Sequence, residues 1–269
     1  MKIAVIVTTY NRPDALEAVL KGFDAQTDRD FEVLVADDGS TADTAALIRS
    51  YAKTAGFPLL HVWQEDTGFR PGAARNRALA RTTSDYIIFT DGDCIPAKDF
   101  VFQHRRLAQP GFFLGGNRIL LTEGLTAHVL REKLPIQEWG TGRWLLVWLR
   151  RDINRLLPLL RLPDGEYRRR HARQWEGIKT CNLSAWRQDL VRVNGFDEAY
   201  SGWGLEDSDL VIRLINAGIR HKSARFAAPL FHLWHRENDR SRLPENQRRL
   251  SELLATPRVE AVQGLRQYG

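Results

Sequence analysis

Cysteine is almost missing from this chain of 269 residues: Cys94 and Cys181 are the only two, too few for a disulfide framework, and a reducing interior is the expected setting. The opening MKIAVIVTTY is too short an apolar run for a secretory signal and has no small-residue cleavage site. Long hydrophobic runs are missing too. The stretch around Trp144 to Leu149 falls far short of the roughly 20 residues a spanning helix needs. Neither internal repeats nor low-complexity linkers interrupt the sequence. These absences argue against a disulfide-stapled secreted module and an integral membrane protein, and make a cytoplasmic location the expectation. What is present is a globular composition, with 43% hydrophobic residues to supply a core. The charge is uneven. Residues 143–173 hold nine arginines against Asp152, Asp164 and Glu166, which accounts for the whole formal charge of +6.

Apolar runs mark the strands. IAVIV at 3–7, FEVLVA at 31–36, LLHVW at 59–63 and DYIIF at 85–89 are continuous rather than alternating, the pattern of strands covered on both faces. Helical patterns lie between them. Ala15, Leu16, Val19, Leu20 and Phe23 share one face, with Asn11 as cap and Pro13 in the first turn; Leu47, Ile48, Tyr51 and Ala55 repeat this. Strands alternating with helices predict βαβ units, hence an α/β fold with a mainly parallel, Rossmann-like sheet and helices on both faces.

Such sheets bind ligands beyond the carboxyl ends of their strands, and the polar motifs collect there. TTYNR (8–12), DDGS (37–40), EDTGFRPGAARN (65–76) and TDGDC (90–94) follow the four strands in turn. Each alone has a plain structural reading, since Asp-Gly-Ser is an ordinary turn and Asn-Arg-Pro an ordinary helix entry. Four on one rim favour a site. Asp37 or Asp38 can accept from a nucleoside imide or ribose hydroxyl, while Arg12, Arg70, Arg75 and a turn at Gly72 suit a diphosphate. Thr8 and Tyr10 join the nucleotide-sugar candidates. Asp91 and Asp93, one residue apart, suit a hard divalent ion on the diphosphate, because Mg²⁺ or Mn²⁺ prefers oxygen ligands and takes only one or two carboxylates.

VIVTTYNRP, LVADDGS, GAARNRAL and FTDGDCIP resemble, in order and spacing, the family 2 glycosyltransferases with the GT-A fold. The resemblance implies sugar transfer from a nucleotide diphosphate donor, most often a UDP-sugar. It gives Asp91 contact with ribose or sugar, and Asp93 the metal. Further on, GWGLED at 202–207 with the later histidines is similar to the galactosyltransferase and chondroitin-polymerase type. That similarity makes Asp207 the general base of an inverting transfer, with Glu206 holding an acceptor hydroxyl or serving as base itself, and His235 a metal ligand. Trp203 offers a flat face to a sugar, and Gly204 lets the backbone approach it. Helix capping is the plain reading of Glu206, Asp207 and Asp209. His232, three residues before His235, is a further metal candidate. A histidine ligand favours Mn²⁺ over Mg²⁺.

The expected organisation is one GT-A domain over residues 1–240: a nucleotide-sugar-binding half at 1–120, a basic Arg/Trp insert at 139–175 and an acceptor half at 178–240. A C-terminal helix around Leu250 to Leu254 and a polar tail, carrying no readable chemistry, complete residues 241–269. The resemblance covers 3–118 and 178–236 and leaves the insert outside. The insert interleaves Trp, Leu and Arg, with Pro158 breaking any helix, and fits either an anionic membrane surface on its inner face or a flap with a solvated Arg face. The expected partners are therefore a UDP-sugar, a saccharide or glycolipid acceptor (galactose or N-acetylgalactosamine being the favoured cargo) and peripheral lipid. No nucleic-acid module is visible. The chain lacks the QxxRW element and membrane helices of processive synthases. A sugar-1-phosphate nucleotidyltransferase would carry a glycine-rich loop after the first strand, which TTYNRP is not. A silent binding module would have lost an acid at 91, 93 or 207, and all remain.

Overall fold

A computed structural model describes residues 1–236 and 239–269. The first unit runs β1 (Ile3–Thr9), α1 (Pro13–Asp24), β2 (Phe31–Asp37), α2 (Ala42–Tyr51), β3 (Leu59–Trp63), α3 (Pro71–Ala80) and β4 (Tyr86–Asp91). Then follow β5 (Cys94–Pro96), α4 (Phe100–Leu107), β6 (Phe112–Gly115), β7 (Arg118–Leu120), α5 (Glu123–Arg131) and α6 (Thr141–Leu149). The last part holds β8 (Leu183–Trp186), α7 (Arg187–Arg192), α8 (Glu206–Asn216), β9 (Arg220–Ser223), β10 (Leu230–His232) and α9 (Leu243–Leu254).

Among the described residues the main sheet has seven strands in the order β3-β2-β1-β4-β8-β6-β9, and a second sheet has three, in the order β5-β10-β7. β1 pairs in parallel with β2 and β4, and β2 with β3, so their carboxyl ends share one rim: Thr9 lies opposite Asp37 and Thr8 opposite Asp91. β8 runs antiparallel to β4 and makes the sheet mixed.

The continuous apolar runs are explained by burial on both faces. In β1, Ile3, Val5 and Val7 enter the core beneath α1, α4 and α5, whereas Ala4 and Ile6 enter the core beneath α3 and α8. β2 and β4 alternate in the same way: Val33 and Ile88 go to the first core, Leu34 and Ile87 to the second. Alternate side chains of a strand point to opposite faces, so a strand buried on both needs an apolar residue at every position. The third run departs from this expectation. β3 is an edge strand, with Leu60 and Trp63 exposed, because among the described residues no strand lies beyond it.

The insert and the tail also differ from the sequence reading. α6 ends at Leu149, before Pro158 is reached, and Trp144 stacks on Phe231 of β10 with ring centroids 4.3 Å apart. Arg168, 1% exposed, donates to the carbonyls of Leu162, Pro163, Ser223 and Arg225. It is a buried structural cation, not part of a solvated basic face. The C-terminal helix starts earlier than the Leu250 expected, at Leu243, and the tail packs back: Leu265 is buried, and the Tyr268 hydroxyl donates to Glu198 at 2.8 Å. Among the described residues no helix is long and apolar enough to cross a membrane.

His104 of α4 joins the two sheets. Its Nδ1 lies 2.8 Å from Ser184 Oγ in β8 and its Nε2 lies 3.2 Å from Asn182 Oδ1, while Asn182 Nδ2 donates to the carbonyls of Asn117 and Ala228. Burial pushes the imidazole down to about 3 from its ordinary 6.5, so the folded protein holds it neutral. Between those values the unfolded chain binds the proton and the native state does not, so stability falls as pH drops from 6.5 toward about 3. Denaturant titrations across that range should show a shallower acid loss in His104→Gln than in the wild type. Parallel pH profiles would assign the loss to other groups.

Candidate active site

The rim motifs converge on one buried guanidinium. Arg75, on the second turn of α3, donates from Nε to Thr8 Oγ1 at 2.9 Å, from NH2 to Asp91 Oδ1 at 3.1 Å and from NH1 to Glu206 Oε1 at 3.1 Å. Its carbon also lies 5.3 Å from the Phe196 ring centroid. Every guanidinium nitrogen is used. One side chain therefore ties β1, the Asp91-Gly92-Asp93 corner and the start of α8. Burial works against its charge, but Asp91 and Glu206 more than offset this and raise its pKa. Burial, augmented by Asp93, raises the Asp91 carboxyl; burial and neighbouring Asp207 raise Glu206, with Arg75 opposing both.

The corner at 91–93 leaves the main sheet and enters the small one, and only glycine fits at its centre. A Cβ on Gly92 would lie 2.9 Å from Thr9 Oγ1 and 3.2 Å from the Thr8 carbonyl. That close approach delivers Asp93 to the histidines. Its Oδ2 lies 3.3 Å from His235 Nε2 and 3.7 Å from His232 Nε2. Burial pushes His232 down to about 4, which leaves a neutral imidazole with a lone pair for a metal. Asp93 Oδ2 is within reach of each imidazole in turn, and the ligand atoms of Asp93, Cys94 and His232 lie within 4.8 Å of one another, a spacing at which residues of this kind would hold a divalent ion.

The acids of α8 separate by role. Asp209 pairs with Arg213 and Arg258 and is wholly buried, so its role is structural, as an ion-pair partner and not as the helix cap expected. Asp207 accepts from the Ser208 amide at 2.8 Å through Oδ1, and its Oδ2 lies 3.5 Å from the Lys179 ammonium. The preceding loop is strained: Gly204 has φ of +100° and Leu205 +77°, a region that costs a branched side chain energy. Asn246 of α9, 1% exposed, holds this loop by donating to the carbonyls of Ser201 at 3.2 Å and Gly204 at 2.9 Å. The C-terminal helix therefore has a task that the sequence did not disclose. Trp203 is partly exposed, with the Arg240 guanidinium 4.5 Å over its ring.

On the nucleotide side, Asp37 accepts from the Ser40 amide and meets His61 Nε2, both at 2.8 Å. Asp38 accepts from the Arg70 amide at 2.7 Å and from Gln64, and burial raises its carboxyl to about 6. Tyr10 donates to Asp66 at 2.9 Å. Three expectations change. Arg12 pairs with Asp14 two residues on and joins no other rim residue; Arg75 spends its donors on protein groups; and Gly72 sits inside the first turn of α3, not in a loop. Gln64, Arg118, Lys179 and Asn246 lie in no recognisable motif, and Asp66 lies in the 65–76 motif without a chemistry of its own to single it out. Arg118 points at this cluster, donating to Cys181 Sγ at 3.7 Å; burial works against its charge, and the cysteines with Asp91 and Asp93 more than offset this and raise its pKa.

Residues 4–115 match the family model described as glycosyl transferase family 2, and residues 167–236 match one described as the N-terminal domain of galactosyltransferase. Residues 4–115 belong to the family 2 glycosyltransferases. The second match begins within the insert, so part of 139–175 lies inside the shared pattern. Validoxylamine A glucosyltransferase of Streptomyces hygroscopicus subsp. jinggangensis is 32% identical over 232 residues, covering 81% of this chain and 52% of that protein. The chain spans about half the length of the curated relatives it matches first. Among solved structures, Staphylococcus aureus TarS 1–349 with UDP aligns at a TM-score of 0.60 and 17% identity, over 100% of this chain and 68% of that one. The mannosyltransferase PcManGT of Pyrobaculum calidifontis, in complex with GDP-Man and Mn²⁺, aligns at 0.59 and 22% identity, over 88% of this chain and 58% of that one. The glycosyltransferase fold is GT-A.

Removing the central guanidinium strands two half-buried carboxylates. Arg75→Gln should destabilise the fold by about 3 kcal/mol near neutral pH, the scale for breaking a buried pair from one side. The penalty should shrink when the measurement is repeated in acid. Asp91 and Glu206 already have raised native values, so protonation relieves the unpaired charge as pH falls. Urea unfolding at the two pH values measures this, and an equal penalty at both would place the cost in packing.

Proposed function

We propose that the protein is a metal-dependent, inverting glycosyltransferase that moves a sugar from a UDP-sugar to a saccharide or glycolipid hydroxyl. The carrying observation is the bridge of Arg75 between Asp91, from the nucleotide half, and Glu206, beside Asp207 of the acceptor half. It supports one pocket containing both. The organisation into nucleotide and acceptor halves of a single domain over 1–240 belongs to the same proposal.

In this reading Asp37, Asp38 and Tyr10 face the nucleoside, Thr8 lies on the phosphate and sugar side, and Asp91 faces the ribose or sugar. Because Arg75 is satisfied by protein groups, its role is to fix Asp91 and Glu206 in place. Asp93 and His235, with His232, would hold Mn²⁺; such an ion offsets the negative charge of a departing diphosphate. Asp207 takes the proton from the acceptor hydroxyl as its oxygen attacks the anomeric carbon on the face opposite the leaving group. Glu206, one oxygen held by Arg75, is left to orient an acceptor hydroxyl, while Trp203 and Gly204 pack against a sugar ring. Galactose or N-acetylgalactosamine is the first donor to test, on the match of 167–236, and glucose the second, on the glucosyltransferase relative.

Asp207→Asn should retain UDP and Mn²⁺ binding and lose turnover by about 100-fold or more, the range for a general base. Asp93→Ala should instead lose Mn²⁺-dependent UDP binding. Calorimetry with UDP and release of UDP from UDP-sugars separate the two. Normal turnover in Asp207→Asn would move the base to Glu206, and UDP binding indifferent to Mn²⁺ would remove the metal.

The same proposal includes peripheral contact with an anionic membrane on its inner face. Leu146, Leu149, Leu157 and Leu160 are exposed on and after α6, beside exposed Arg150, Arg151 and Arg155. Apolar side chains with arginines around them suit the headgroup boundary. Arg150→Gln with Arg151→Gln should weaken binding to phosphatidylserine vesicles by about 30-fold, at about 1 kcal/mol per charge. Sedimentation at two salt concentrations reads this, and binding independent of both charge and salt would point to a protein contact.

A further inference from the structure

We infer that Cys94 and Cys181, with a carboxylate oxygen of Asp91, form a site for a thiophilic divalent cation of the zinc and cadmium class, beside the Asp93 site for a hard cation. The two cysteines come from different sheets: Cys94 opens β5, and Cys181 lies just before β8. Folding nevertheless brings the ligand atoms of Asp91, Cys94 and Cys181 within 4.8 Å of one another. Both are free and buried within the apolar core, yet a carboxylate oxygen of Asp91 lies within reach of both sulfurs.

Two thiolates and one carboxylate are a donor set that soft or borderline cations take in preference to Mn²⁺ or Mg²⁺, by both ligand softness and the order of divalent affinities. The surroundings resemble those of a metal thiolate. The Arg118 guanidinium donates to Cys181 Sγ at 3.7 Å, as outer hydrogen-bond donors to coordinated sulfur do, and it offsets part of the negative charge. Access runs through Asp93. Its carboxylate is partly exposed and accepts from the Cys94 thiol at 3.5 Å, so a cation that meets Asp93 is already next to the sulfurs. Binding replaces both thiol protons, which leave to bulk water.

The test uses the full, reduced chain and Cd²⁺ alone, with no nucleotide or sugar present, and so does not depend on the proposed transfer reaction. Cadmium should give a thiolate-to-metal charge-transfer absorbance that saturates at one equivalent, and Mn²⁺ should give none. Cys181→Ser should lose most of the band and bind cadmium at least about 100-fold more weakly, since even outer-shell changes cost 10–100-fold. A band undiminished in Cys181→Ser would place the cation with Asp93, Cys94 and His232 and overturn the pairing. Cadmium X-ray absorption on the wild type, which requires no variant to fold, should show two sulfur neighbours. A shell of oxygen and nitrogen only, or no band at one equivalent, would overturn the site.

Discussion

A guanidinium buried among two carboxylates and a hydroxyl holds this molecule's chemistry together. Arg75 is almost fully enclosed, and the donors that water would satisfy are met by Thr8, Asp91 and Glu206. Its planar fork makes the partners interdependent, because displacing one leaves a charge that solvent only partly screens. Strand β1, the corner after β4 and the start of α8 are thereby fixed relative to one another. These segments come from regions matching two different family models, and their junction is a cation that both share.

The corner itself is a steric solution. The chain passes from the large sheet to the small one over Thr8 and Thr9 with room only for a hydrogen at residue 92. The two acids therefore face different neighbours. Asp91 turns to Arg75, whereas Asp93 turns to His232 and His235 on and after β10. The small sheet presents these histidines because β10 pairs with β5 in antiparallel register, His232 opposite Cys94. On its other side, Phe231 carries the stacked Trp144 of α6, so the exposed leucines and arginines of that helix are anchored one residue from a metal candidate.

Much of the apparatus that supports the site lies outside any motif. Asn246 reaches back from the C-terminal helix to hold the strained loop before α8, offsetting a left-handed Leu205 with hydrogen bonds to neighbouring carbonyls. Arg168 does comparable work for the insert, closing four backbone carbonyls that burial would otherwise leave unpaired. Its burial separates the basic insert into a structural part and an exposed part around Arg150, Arg151 and Arg155.

The strand runs and helix faces of the first hundred residues were legible in the sequence by itself, because periodicity reports which faces a segment buries. The rim was legible for the same reason: parallel strands must end together, so Thr8, Asp37 and Asp91 had to share an edge. The edge status of β3, the inward turn of Arg168, the local pairing of Arg12 and the grip of Asn246 were decided by tertiary structure alone. So were the meeting of Cys94 with Cys181 and the convergence of Asp91 and Glu206 on Arg75. Each joins residues whose separation along the chain carries no pattern, or turns on which neighbours compete for a charge. Local sequence fixes where a side chain stands on its own element, and only packing selects its partner across the gap.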